Sequence, residues 1–271
     1  MTLILEYTAQ TTIPVEIEGF IPAALGGKSR GDIERLEVLH GNRRVPLADL
    51  FRVSGDAADG QIELRGDLSG VHWIGAGMDR GEIRVVGHAG RHAGSEMTGG
   101  RLLVEGNAGD WLGAEMHGGQ IRVRGRAGNL VGAAYRGSPS GMTGGTILVD
   151  GAVGDETGQR MRRGLIAVGG AGDSVGFGML AGRVLVFGPC GIRPGAGMRR
   201  GTIAIFAAQR PALLPTFRYG CRLRPLFLAM LLRELSRLDY PAPPSLCAAD
   251  CELYHGDFVA LGRGEVLLAP W

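Results

Sequence analysis

The sequence predicts an all-β protein: a right-handed, single-stranded parallel β-helix of about seven to eight coils, closed by a small helix-containing C-terminal cap. Three observations predict it. Glycine supplies 48 of 271 residues while hydrophobic content stays at 45%. That combination suits tight turns between short buried strands; disordered Gly-rich linkers lack the apolar residues, and collagen needs glycine at every third position. Next, Gly81, Gly100, Gly119, Gly145, Gly164, Gly182 and Gly201 open similar units at spacings of 19, 19, 26, 19, 18 and 19, after an irregular earlier unit at Gly60. Finally, methionine returns once per unit at Met78, Met97, Met116, Met142, Met161, Met179 and Met198, carrying the same insertion.

The unit reads Gly-x-Ile-x-Val-x-Gly-x-Ala-Gly-x-x-x-Gly-x-x-Met-x-x. Alternation puts Ile62/Leu64, Ile83/Val85, Leu102/Val104, Ile121/Val123, Ile147/Val149, Ile166/Val168, Val184/Val186 and Ile203/Ile205 on one face of successive short strands. A coil of about 19 residues cannot bury that face alone, so coils must stack. Glycine at the corners is expected to take positive φ and to let backbones approach, and methionine to fill the irregular interior corner. Right-handed winding follows from the strong preference of parallel crossovers. The left-handed hexapeptide helix fails, because steps of six from Ile83 reach Ala89, Ser95 and then Arg101 inside. The calcium-binding nonapeptide helix fails for want of a Gly-Gly-x-Gly-x-Asp run.

Three segments result. Residues 1–59 form an N-terminal capping segment, with strand-like Leu3–Tyr7, Val15–Ile17 and Leu36–Leu39 and a helical turn near Pro46–Phe51. Residues 60–206 are the glycine-rich parallel β-helix, and residues 207–271 a C-terminal helix and hairpin cap. In that cap Pro225 suits the first turn of a helix over Leu226–Leu238. Leu228, Leu231, Leu232, Leu235 and Leu238 share a face while Phe227 and Met230 lie elsewhere, so this helix calls for two neighbours, the end of the solenoid and another subunit. Asp257–Leu261 and Glu265–Ala269 read as a hairpin. The long coil carries an insertion near Ala134–Gly141, including Tyr135, Arg136 and Pro139, which reads as a tolerated loop or a partner contact.

The net charge of +2, from 29 basic and 27 acidic residues, argues against nucleic acid as a partner. The start, Met-Thr-Leu-Ile-Leu-Glu, lacks the basic region of a signal peptide, and the apolar run Pro225–Leu232 is too short to span a bilayer. Four cysteines are too few for a disulfide scaffold. The expectation is a cytoplasmic protein with no membrane partner.

Catalytic motifs are missing: no Gly-x-Ser-x-Gly, no P-loop and no His-Glu-x-x-His. Aligning the coils sets His72 opposite Arg91 and scatters His88, His92 and His117 over different columns, so no metal site is expected there. Cys247, Cys251 and His255 are spaced four and four and would share one face of a helix; without a fourth ligand they read as ordinary thiols. Glu96 and Glu115 precede the methionine in adjacent coils and would sit within ~5 Å, as solvated surface carboxylates or as a site for a basic group. The expected catalytic and metal residues are none, and no cofactor-binding residue can be named.

The repeat resembles that of the C-terminal glutamate synthase domain and of the C subunit of formylmethanofuran dehydrogenase. The stretches Gly-Phe-Ile-Pro-Ala-Ala-Leu (19–25), Leu-His-Gly-Asn-Arg-Arg-Val-Pro-Leu-Ala-Asp-Leu-Phe (39–51) and Ala-Leu-Leu-Pro-Thr-Phe (212–217) resemble the second. The resemblance implies a non-catalytic structural subunit of a one-carbon complex. In the bacterial formyltransferase/hydrolase version, found in methylotrophs, the formyl group passes from formyltetrahydromethanopterin to a methanofuran-type carrier and leaves as formate. In the archaeal version a molybdenum- or tungsten-bearing subunit interconverts carbon dioxide and formylmethanofuran. Chemistry, carrier and metals would belong to partner subunits in both, and no catalytic residue carries over. An amidotransferase-serving glutamate synthase-type domain is the alternative.

Overall fold

Strands of four or five residues are too short to stand alone, so each depends on the rung beside it. The computed structural model describes residues 2–270. Along them run β1 (Leu3–Tyr7), β2 (Val15–Glu16), α1 (Pro22–Leu25), α2 (Arg30–Glu34), β3 (Glu37–His40), β4 (Arg43–Pro46), β5 (Phe51–Ser54), β6 (Gln61–Arg65), β7 (Val71–His72), β8 (Glu82–Val86), β9 (Arg101–Val104) and β10 (Gln120–Val123). Then come β11 (Thr146–Val153), β12 (Leu165–Ala171), β13 (Arg183–Val186), β14 (Arg200–Phe206), β15 (Arg218–Leu223), α3 (Leu226–Arg237), β16 (Cys251–Gly256) and β17 (Arg263–Ala269). The chain is mostly strand with few helices, and no helix among the described residues is long and apolar enough to cross a membrane.

One sheet carries the fold, in the order β15-β16-β17-β14-β13-β12-β11-β10-β9-β8-β6-β1-β5. Every pairing from β1 to β17 is parallel, and only the outermost strands, β5, β16 and β15, join antiparallel. Register places Ile62, Ile83, Leu102, Ile121, Ile147, Ile166, Val184, Ile203 and Val266 over one another. These residues and the whole methionine column are buried. The ladder is longer than the glycine repeat: β1 precedes it in parallel with β6, and β17 follows it in parallel with β14. The terminal hairpin is made by Cys251–Gly256 and Arg263–Ala269, whereas Asp257–Leu261, expected as a strand, forms the turn between them. Asp257 explains this: its carboxylate accepts from the backbone N–H of Val259 at 3.0 Å and of Gly197 at 3.0 Å, a turn contact and not a ladder contact.

Glycine at the corners answers to two constraints, of which positive φ is one. Each coil turns with left-handed residues two apart, as in His92, Gly94 and Glu96 (φ 63°, 64° and 57°). Only the middle one must be glycine, because it faces inward: a Cβ on Gly94 would lie 2.5 Å from Ile121 Cδ1. Gly118 lacks positive φ, yet a Cβ there would lie 2.2 Å from the Thr98 carbonyl oxygen of the coil below. Gly118→Ala should therefore push two coils apart and cost about 3 kcal/mol in a denaturant melt. Gly70→Ala, with nothing within 4 Å of the added carbon, is the control and should be neutral or better.

The helix α3 departs from expectation. It lies on the side of the ladder, not on its end. The outward positions of β11 to β14 and β17 are Leu148, Ala167, Leu185, Ala204 and Leu267, and they form a second buried cluster with Leu228, Leu232, Leu235 and Tyr240. In earlier rungs the same column holds Glu63, Arg84, Leu103 and Arg122. Arg122 marks the boundary. Only 1% exposed, it pairs with Asp150, donates to the Asp239 carbonyl at 3.1 Å and stands 5.1 Å over the Tyr240 ring. Among the described residues its Nε and Nη1 have no hydrogen-bond partner. Burial pushes the guanidinium down and, outweighing Arg122 and Arg124, pushes the Asp150 carboxyl up.

Candidate functional site

The left-handed corner that begins each turn points its side chain outward, so residues there stack coil on coil. Trp73, His92 and Trp111 occupy three consecutive rungs of this column. Each backbone N–H donates to a carbonyl of the next coil: Trp73 to Arg91 at 3.0 Å, His92 to Asp110 at 2.9 Å, Trp111 to Asn129 at 2.9 Å. The Trp73 and His92 rings lie 4.3 Å apart and 8° from parallel, and His92 and Trp111 lie 6.1 Å and 15° apart. Tyr135, from the insertion, folds back over them, 4.9 Å from Trp111 and 5.7 Å from His92. The loop thus closes over earlier coils.

Polar contacts hold Tyr135 in place. Its hydroxyl donates to Ser95 Oγ at 2.9 Å, and Ser95, fully buried, donates to the Trp111 carbonyl at 3.3 Å. With the phenol proton so used, His92 Nδ1–H is the donor in its 2.9 Å contact with the same hydroxyl. Tyr135 N–H donates to Glu115 Oε1 at 2.8 Å. Beside this cluster a cavity of about 420 Å³ is lined by Trp111, Tyr135, Arg136, Glu156, Arg160 and Phe177. Burial, with Arg91 and His72 adding, pushes the His92 imidazole down to about 4; burial, helped by Glu96 and Glu115, pushes the Tyr135 phenol up to about 12. Both rings are neutral at physiological pH, so the cluster suits contact with a planar or apolar group better than proton transfer.

The pH consequence has a definite sign. The native His92 holds fewer protons than the unfolded chain between its ordinary value of 6.5 and about 4. Stability from this site is therefore full above pH ~6.5 and falls as pH drops toward ~4. Thermal melts across that range should show the loss, and His92→Asn, non-titrating and tolerant of the left-handed backbone, should flatten it.

The other residues singled out in the sequence take structural places. His72 Nδ1 accepts from Arg91 N–H at 3.0 Å and His88 Nδ1 from Asn107 N–H at 2.9 Å. In the His72 column, Asp110, Asn129, Asp155 and Asp173 do the same for the coil that follows each, at 2.7 to 2.9 Å. These histidines are acceptors that tie coil to coil. His117 meets Thr143 Oγ1 at 2.6 Å on the exposed surface. Glu96 is exposed, while Glu115 is engaged by the insertion. Cys247, Cys251 and His255 do not share a helix face: Cys247 sits in a 3₁₀ turn, and Cys251 and His255 on β16, with Cys251 buried under α3. Burial pushes the Cys251 thiol up to about 11 and that of Cys190 to about 12, which keeps both protonated. Among the described residues no three His, Cys, Asp or Glu converge as a metal set. The aromatic stack escaped the sequence reading, although Trp73, His92 and Trp111 recur at intervals of 19 and could have been found as a column.

With this geometry in hand, comparison with known proteins decides the family. A GXGXG motif model matches residues 70–213, more than half of the chain. The chain belongs to the GXGXG family. This GXGXG protein is 37% identical over 97 residues to the C subunit of tungsten-containing formylmethanofuran dehydrogenase 2 from Methanothermobacter thermautotrophicus. It is 38% identical over 84 residues to the C subunit of the molybdenum-containing enzyme 1 from Methanosarcina barkeri. The matched segments span 36% and 28% of those subunits' lengths and 34% and 30% of this chain. A solved chain of the formyltransferase/hydrolase complex FhcABCD from Methylorubrum extorquens, determined with methylofuran, is similar end to end: TM-score 0.92 and 33% identity over 98% of both chains.

Proposed function

We propose that this chain is a non-catalytic structural subunit of a one-carbon complex. That complex passes a formyl group from formyltetrahydromethanopterin to a methanofuran-type carrier and releases formate. The observation that carries the reading is the end-to-end likeness to a chain of a formyltransferase/hydrolase complex. Its partners are then the other subunits, which hold carrier and metals, and its setting is the cytoplasm. Within the proposal the strands wind into a right-handed parallel β-helix of seven to eight coils over residues 60–206, capped by residues 1–59 and 207–271.

Purification from the native host tests this. The tagged chain should bring down formyl-transfer subunits, and the assembly, not the chain alone, should release formate. Formate release by the isolated chain would overturn the reading. The relatives at 37% and 38% identity favour a second version, the C subunit of a molybdenum or tungsten dehydrogenase. Stoichiometric molybdenum or tungsten in the purified assembly would select it.

A further inference from the structure

Arginines accumulate without partners at one corner of the last coils. In the first coils this corner is balanced: Arg80 meets Asp79 at 3.1 Å and Arg101 meets Glu82 at 3.8 Å. In the last coils the corresponding stretch carries Arg162, Arg163, Arg183, Arg199, Arg200 and Arg263, all exposed. Among the described residues none of the six has a carboxylate within 4 Å, although elsewhere on the surface most arginines do. Arg200 and Arg263 are direct neighbours across the β14–β17 ladder, where like charges oppose each other and cost stability.

The place is concave. A groove of about 660 Å³ is lined by Arg162, Arg163, Arg183 and Arg200; among the described residues no acidic one is on its walls, and Glu265 stands behind Thr202, accepting from its hydroxyl at 3.0 Å. Arg183 also lines a second groove, of about 450 Å³, which runs along α3 past Phe227 and Met230. Met230 is 64% exposed and Leu226, one helical turn before it, 78%. The trough therefore joins an arginine-lined end to an end where Phe227, Met230 and Leu231 lie among Arg233, Glu234 and Arg237.

We infer that this trough is an interaction surface for a carboxylate-rich segment of a partner subunit that also carries an apolar anchor. The acidic stretch neutralises the arginines, and the anchor covers Met230 and Phe227. Charge complementarity selects the partner: arginine forks bind carboxylates in pairs, and the exposed Met230 and Leu226 favour a polypeptide over a bare polyanion. The inference rests on the subunit reading above.

The test is Arg163→Glu/Arg200→Glu in the tagged full-length chain, purified from its native host at low and at physiological salt. Wild type should retain its partners at both; the variant should lose them about tenfold at physiological salt. Its own melting temperature should hold or rise, because repulsion is relieved. If the variant melts lower, Arg163→Gln/Arg200→Gln replaces it, and partner retention equal to wild type at both salts overturns the inference. Wild type carrying nucleic acid on this face, removable by nuclease, overturns it too. A wild type that brings down no partner at all sinks the subunit reading, and the trough loses its occupant with it. Partners retained equally by wild type and variant sink the inference alone.

Discussion

Met116→Asp should leave the chain unfolded, or close to it, at neutral pH. Met116 has no solvent exposure, and its Cε occupies the space under Gly145, where an added Cβ would lie 2.8 Å away. Its carbonyl accepts from Thr143 N–H at 2.7 Å, so the residue is also part of the coil-to-coil ladder. A carboxylate there finds neither water nor a cation, and its burial costs at least about 4 kcal/mol. That is a large share of the roughly 5–15 kcal/mol that holds a domain together. Met116→Leu, which keeps the volume, should cost less than about 1.5 kcal/mol. Denaturant melts of the three proteins read the difference, and the aspartate variant should recover partly in acid as its carboxyl protonates. A melting point equal to that of wild type would mean that the methionines face outward.

Arg122→Ala is expected to be the next most damaging change, at about 3 kcal/mol. The substitution strands Asp150, whose carboxyl is already pushed up by burial, and empties the space beneath Tyr240. Arg124 remains 3.5 Å from Asp150, which keeps the cost at the lower end of the range for a broken buried pair. Arg122→Ala with Asp150→Ala should lose less than the sum of the two single changes, because the second removes a charge that the first left unpaired. Arg122→Leu combined with Asp150→Ala should approach wild-type stability, since burial already works against both charged groups and the pair is then removed with neither left unpaired. Thermal melts of this cycle decide it. If Arg122→Ala melts like wild type, the end of α3 is not anchored there.

The ladder was legible because its signal is periodic. Ile83, Leu102, Ile121 and Ile147 recur in step with Met78, Met97, Met116 and Met142, and a stacked fold converts that recurrence directly into register. The acceptor column was equally present as Asp110, Asn129, Asp155 and Asp173, and it explains His72 better than any metal does. Tyr135 was not legible in this way. It belongs to no column, and its bonds reach back 40 residues to Ser95 and 43 to His92.

By itself the sequence determined what each position faces along the coil, since alternation, glycine and methionine each report a local demand of the backbone or the interior. It also held the hint that the outer face turns apolar at Leu148, Ala167, Leu185 and Ala204. Only the tertiary structure decided that α3 covers that face, that the insertion closes on Trp73, His92 and Trp111, and that unpaired arginines meet in one groove. The reason is physical. A repeat dictates contacts between equivalent residues one coil apart, whereas a unique segment can satisfy its apolar side against several surfaces, and packing in three dimensions selects one.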